Sequence, residues 1–516
     1  MSQTLGAVLR RRALVACIAV TCAGVGLSAV ACAGAKANAP ELQARASSAA
    51  IDTSLATRIQ RVERGLLRAI AVMEGADTGL ALAARMRRFH VPAVGIAVIS
   101  NGRLAWARGY GVLEAASSQR VDTATLFQAG SISKAVTAVG AMRLVERGTL
   151  SLDEDVNRRL KSWKLPPSPG TAGRPATLRT LLSHTAGLNV PSFGGYEAGA
   201  LMPTVLQILR GEAPANTPAV AVEGTPGEWS YSGGGTMVVQ QLMSDATHLA
   251  FASLMHQLIL EPAGMRRSTF DQPLAPERVG NAAAGHTAAG PLPGRWRTYP
   301  ELAAAGLWST PSDLARFGAA LLQSLGPIGS GTLLYEASLR EMLIRRQGGW
   351  GLGFVVSGTG DSVIFGHDGS TAGFTSRLLL RAATRDGLVV MTNGESEALI
   401  DEIVRSVARE YGWPEESRPP KTVVAVDATH LPALAGVYRV ELGERHFDFT
   451  VTVGGGRLMM ASGGGTPAEI LPSSDTHFFS PDTGSEVIFV REGAKAATAF
   501  TLVQSGGGRF TAKRLP

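Results

Sequence analysis

The spacing of apolar residues changes once along this chain, near Pro419-Pro420, and that change limits it to two folded parts of different class. After it, Phe447, Phe449, Val451 and Val453 alternate with Asp448, Thr450 and Thr452. Period-2 alternation is the mark of a half-buried strand. Glu486–Val490 and Thr498–Val503 repeat the theme between Gly-rich turns, which predicts a small all-β barrel or sandwich. Before it, two periods mix. Val94–Ile99 and Leu104–Arg108 read as strands joined by an Asn101-Gly102 turn. Val136, Val139 and Met142 recur at helical spacing up to Gly148. Strand patterns return at Gly353–Val356, Leu378–Leu380 and Leu388–Thr392, and Trp350–Phe354 reads as a packing strand. Ile400, Ile403, Val404 and Val407 then mark an amphipathic helix that Gly412 and Pro414 end.

The N-terminus adds a third kind of segment. Arg10, Arg11 and Arg12 precede an apolar, small-residue run from Ala13 to Val30, and Ala29-Val30-Ala31 offers a cleavage site. That is the layout of an export signal. Cys32 follows directly and supports two readings. It is either a lipidated N-terminal cysteine, which would tether the protein to a membrane, or a stray residue of an ordinary signal peptide. Cys17, Cys22 and Cys32 are all the cysteines there are, so the folded part is expected to contain no disulfide and no thiol nucleophile. The expected divisions are a signal over 1–35, a tether with an N-terminal helix over 36–84, a mixed domain over 85–412, a linker over 413–430 and a β module over 431–516.

Charge excludes one class of partner. The formal charge of +7 falls to +4 without residues 1–35, and no run of basic residues is interleaved with aromatics. Nucleic acid binding is therefore not expected. No His-Glu-x-x-His or Gly-x-Ser-x-Gly segment is present, which argues against a zincin and an α/β-hydrolase. No metal or cofactor is expected.

Chemistry concentrates in three places. Ser131 stands three residues before Lys134 at a predicted helix start, so both side chains share one face. A serine hydroxyl needs a partner to take its proton, and a lysine serves only if burial lowers its pKa. Pro226–Tyr231, followed by Ser232-Gly233, fits the middle element of the family pattern named below, with the phenol of Tyr231 as its titratable group. The third segment is His367-Asp368-Gly369-Ser370-Thr371-Ala372-Gly373-Phe374.

Phe127–Lys134 with Leu144–Asp153, Leu181-Leu182-Ser183-His184-Thr185-Ala186-Gly187-Leu188, and the stretch from His367 through Asn393 together resemble the serine β-lactamase-like superfamily. That superfamily spans class C β-lactamases, D-alanyl-D-alanine carboxypeptidases, D-aminopeptidases and esterases. Leu434-Ala435-Gly436-Val437-Tyr438 resembles the opening of the lipocalin-like β-domains appended to such enzymes. The resemblance implies an α/β sandwich of antiparallel sheet and helices beside a helical subdomain, followed by a small all-β domain. It implies an acyl-enzyme on Ser131, with Lys134 and Tyr231 moving protons and an ammonium beside Tyr231 lowering its pKa. It further implies an oxyanion hole from the N–H groups of Ser131 and Ser370, and substrate contacts from His367, Gly369 and Asn393. His184 reads as a hydrogen-bonded structural histidine.

Two residues depart from the family pattern. Gly233 stands where an asparagine is usual, and His367 where a lysine is usual. Both changes suit an esterase or D-amino-acid peptidase better than an efficient β-lactamase. The expected function is an exported serine hydrolase, periplasmic or anchored facing the periplasm, acting on a small-molecule or peptide substrate such as a cell-wall fragment. The competing reading is a non-catalytic penicillin-recognising or cell-wall sensor on the same fold.

Overall fold

The computed structural model describes residues 55–70, 80–168, 173–326, 333–414, 421–442, 445–463, 467–504 and 507–516. The signal, its cysteines and the lipidation candidate Cys32 lie outside the described residues.

The first two strands, β1 (Ala93–Ser100) and β2 (Arg103–Gly111), form a hairpin. Its turn residues Asn101 and Gly102 both take positive φ, 51° and 71°, the conformation that matches strand twist in a two-residue turn. Four later strands complete one antiparallel sheet: β3 (Val355–Ser357), β4 (Ile364–Thr371), β5 (Phe374–Arg381) and β6 (Asp386–Thr392). The order is β2-β1-β6-β5-β4-β3. β1 and β6 are buried along nearly their whole length, which explains their continuous apolar runs.

Helices cover both faces. Helix α1 (Ile132–Glu146) is buried on almost every side, as a helix of Ala, Val, Ile and Gly must be. Helix α2 (Gly233–Thr247) packs beside it within the helical part. Helix α3 (Pro311–Ser324) lies on the sheet so closely that a Cβ on Gly318 would come within 2.7 Å of Leu380. Helix α4 (Glu397–Tyr411) packs on β5 and β6 from the other face, capped by Ser396 and stopped by Gly412 at φ 64°.

One expected strand is corrected. Trp350–Phe354 is irregular, and the strand begins only at Val355. Gly353 is the cause: its φ of 79° breaks the extended chain, and a Cβ there would lie 2.2 Å from Ala138 of α1. The glycine thus seats the loop on α1, with Leu352 and Phe354 in the core.

The C-terminal part is a closed barrel of eight sequential antiparallel strands, from β7 (Gly436–Leu442) to β14 (Arg509–Arg514). Eight strands leave an interior just wide enough for side chains. Here Tyr438, Phe478, Phe489 and Phe500 fill it, with ring centroids 4.9–5.9 Å apart. Tyr438 donates its hydroxyl to the Leu434 carbonyl at 2.8 Å, so the buried phenol is satisfied. The alternation at Phe447–Val453 is only partly used: Val451 is buried, whereas Phe447 and Val453 are exposed.

A buried ion cluster ties the barrel to the α/β domain. Arg85, in the helix Leu82–Arg88, donates to Glu402 of α4 and, at 2.8 Å, to Asp482 of the barrel. The Ile70 N–H donates to the Pro481 carbonyl nearby at 3.1 Å.

Candidate active site

The N-terminus of α1 and the strand β4 meet because glycines let them. Gly130 takes φ 51°, and a Cβ on it would lie 2.7 Å from the Ser370 amide nitrogen. Gly369 is as tight, since a Cβ there would lie 2.0 Å from the Ala129 carbonyl oxygen. Ser376 of β5 donates to that same carbonyl at 3.0 Å, and Ser133 donates to the Gly130 carbonyl at 2.6 Å. The loop bearing Ser131 is therefore held from both sides, with Ser131 beginning α1 and Ser370 across from it.

Lys134 sits one turn into α1 and is buried. Its Nζ lies 3.0 Å from Ser131 Oγ and donates to the Ala304 carbonyl at 2.8 Å. Among the described residues no carboxylate pairs with it, and burial lowers its pKa to about 7. Near neutral pH it is thus available as an amine with a lone pair, which is what a base for a serine hydroxyl requires.

Tyr231 precedes α2, and its ring centroid lies 5.1 Å from Lys134 Nζ. Its pKa is raised to about 12 by burial, against which a hydrogen bond with Ser131 works in the opposite direction. This corrects the expectation that the neighbouring ammonium lowers it: loss of water outweighs the opposing hydrogen bond with Ser131. The phenol therefore stays protonated at neutral pH.

His184 braces Tyr231. Its carbonyl accepts from the Ser230 N–H at 2.8 Å and its Nδ1 from the Ser232 N–H at 3.2 Å. Its ring packs 4.5 Å from the Tyr231 ring. Burial first, then the Lys134 charge, lowers its pKa to about 3. It is a neutral positioning residue that clamps the backbone on both sides of the tyrosine.

His367 on β4 is 5% exposed. Burial first, then the Lys134 charge, lowers its pKa to about 4, so the ring is neutral. Asn393 is corrected as a substrate contact. It is fully buried, its Oδ1 accepts from the Ala93 N–H at 2.6 Å, and its Nδ2 donates to the Leu113 carbonyl at 3.1 Å. Both ends of its amide are spent on backbone groups, one at the start of β1 and one just past the end of β2.

Ser131, Tyr231, Trp350, His367, Ser370 and Arg377 line one cavity of about 310 Å³. A larger one of about 880 Å³, between Met86, Tyr110 and His286, holds no serine paired with a base, so the chemistry belongs to the smaller. Sequence reasoning missed Trp350 and Arg377. Arg377 alternates with Ser376 and Leu378 on β5, but only the packing of α4 on that face reveals its role. Gly233 is also explained: a Cβ there would lie 2.8 Å from the Phe193 ring. Phe193 occupies the space that an asparagine side chain would need. Among the described residues, no group of three or more His, Cys, Asp or Glu could hold a metal ion.

Comparison with known proteins agrees with this geometry. The sequence profile of the family described as Beta-lactamase matches residues 80–410. Penicillin-binding protein 4* of Bacillus subtilis (strain 168) is 26% identical over 438 residues, covering 79% of this chain and 91% of that protein. Among solved structures, the octameric penicillin-binding protein homologue from Pyrococcus abyssi aligns with a TM-score of 0.56 at 22% identity, over 84% of this chain and 98% of the other. The D-amino acid amidase of Ochrobactrum anthropi SV3, complexed with D-phenylalanine, aligns with a TM-score of 0.53 at 21% identity, over 64% and 97%. The chain therefore shares its fold with these proteins and belongs to the beta-lactamase family.

Proposed function

We propose that this protein is an exported serine hydrolase that cleaves esters or amides through an acyl-enzyme on Ser131. The observation that carries the reading is the approach of Lys134 Nζ to Ser131 Oγ at 3.0 Å in a buried setting that brings the amine near neutrality. Ser131 Oγ attacks the substrate carbonyl carbon while its proton passes to Lys134. The amide N–H groups of Ser131 and Ser370 stabilise the oxygen that becomes negative. Tyr231 relays the proton to the leaving alcohol or amine. Water then hydrolyses the ester on Ser131, with the same groups acting in reverse.

Esters and D-amino-acid amides or peptides fit better than β-lactams. His367 supplies no permanent cation, and Phe193 fills the place of a second amide beside Tyr231. Export through residues 1–35, with or without lipidation of Cys32, belongs to the same proposal; the mass of the mature N-terminal peptide tests it.

The test is turnover by the mature protein of p-nitrophenyl esters and D-amino-acid amides. Ser131→Ala is expected to lower the rate by at least about 10³-fold. Substrate binding that survives Ser131→Ala, with no turnover by the unaltered protein, would instead establish a sensor.

A further inference from the structure

We infer that the pocket beside Ser131 selects substrates that bring an ammonium or amide N–H to His367, and rejects those that bring a carboxylate there. The inference rests on the hydrolase reading and names the substrate class of that site.

The imidazole can be assigned one tautomer. His367 Nδ1 lies 2.5 Å from the Asp368 carbonyl oxygen. A carbonyl only accepts, so Nδ1 carries the proton. The neutral ring then presents a lone pair at Nε2. That atom is buried and has no hydrogen-bond partner among the described residues, although the ring forms part of the cavity wall. Trp350 packs against the ring with centroids 5.2 Å apart at 70°, which holds it in place. A buried acceptor without a partner costs free energy until a donor arrives. A carboxylate offers no proton and would face the lone pair.

The charges around the cavity point the same way. Its arginine, Arg377, is already engaged: Nε and Nη2 donate to Asp368 at 2.8 and 3.1 Å, and Nη1 donates to Asp401. Glu397 also lines the cavity and is exposed. Two carboxylates therefore hold the one guanidinium, and a third, Glu397, stands in the cavity wall. The Lys134 amine is turned to Ser131 and the Ala304 carbonyl, so no cation is left to receive an anion among the described lining residues. Acid in excess at the mouth favours a positive substrate group.

The test compares kcat/KM for three p-nitroanilides of D-alanine that differ only at nitrogen: free ammonium, N-acetyl and N-succinyl. The ammonium substrate is expected to exceed the succinyl one by roughly tenfold or more. Glu397→Gln, at an exposed position, should shrink that gap several-fold, and His367→Lys should reverse the ranking. A succinyl preference in the unaltered protein would overturn the inference, as would a gap that neither substitution moves. Fluorophosphonate labelling of the unaltered protein is run alongside. Failure to label Ser131 would sink the hydrolase reading itself, whereas labelling with a carboxylate preference would sink this inference alone.

Discussion

A single buried side chain sets much of the behaviour at the residue scale. Glu301 is fully buried, and neither carboxylate oxygen has a hydrogen-bond partner among the described residues. Burial raises its pKa to about 7. A carboxyl held above its unfolded value binds its proton more tightly in the native state, so stability is lost as pH rises from about 4.5 to about 7 and stays lost above. Glu301→Gln is therefore expected to stabilise the protein at pH 8 by up to about 3 kcal/mol and to change little at pH 4. Denaturant melts at the two pH values check this; equal effects at both would contradict it. Residue roles divide into those a sequence reader can see and those only packing reveals. Ser131 and Lys134 lie within one helical turn, so their meeting is local. Asn393 was misjudged because an unbroken resemblance runs up to it, while the end of β6 tucks its amide under β1. Phe193 and Gly233 are 40 positions apart, and only the fold shows that one excludes a side chain at the other.

Elements, more than side chains, make the site close. The α1 loop and β4 approach each other at Gly130 and Gly369, where backbone oxygen or nitrogen fills the space of a side chain. Gly369→Ala must push β4 away from the Ala129 carbonyl. Misplacement by about 1 Å typically costs on the order of 10²-fold in rate. That loss is expected in acylation of Ser131, and wild-type rates in a folded variant would rule it out. The hairpin β1–β2, helix α1 and helix α4 were all legible, because Asn-Gly turns, buried apolar helices and amphipathic stripes are local patterns. The start of strand β3 was not, since Gly353 bends the chain to fit Ala138, a contact with a helix more than 200 residues earlier.

At the scale of the whole molecule, a buried ion cluster joins the α/β domain to the barrel. Arg85, Glu402 and Asp482 form the joint, with Arg85 and Glu402 5% and 0% exposed at their side chains. Arg85→Ala leaves Glu402 buried and unpaired, and should cost about 3–5 kcal/mol. Replacing Arg85 and Glu402 together by methionine should cost clearly less, a difference that thermal melts resolve. Equal losses would mean that the pair carries no coupling. This joint was invisible in the sequence, because its three members come from segments up to 397 positions apart. Helix α4 links it to the site, since Glu397 and Ile400 of the same helix line the cavity.

The central claim is that a desolvated Lys134 removes the Ser131 proton. The most direct measurement is the rate of fluorophosphonate adduct formation against pH, with the modified residue located by peptide mass. Protonated Lys134 cannot act as base, so the rate should fall as pH drops below about 7. His184 and His367 are already neutral across that range, and Tyr231 remains protonated. A single adduct on Ser131, rising through pH 7 and abolished by Lys134→Met, is the expected result. An adduct elsewhere, or a rate on Ser131 that ignores both pH and Lys134→Met, would contradict it.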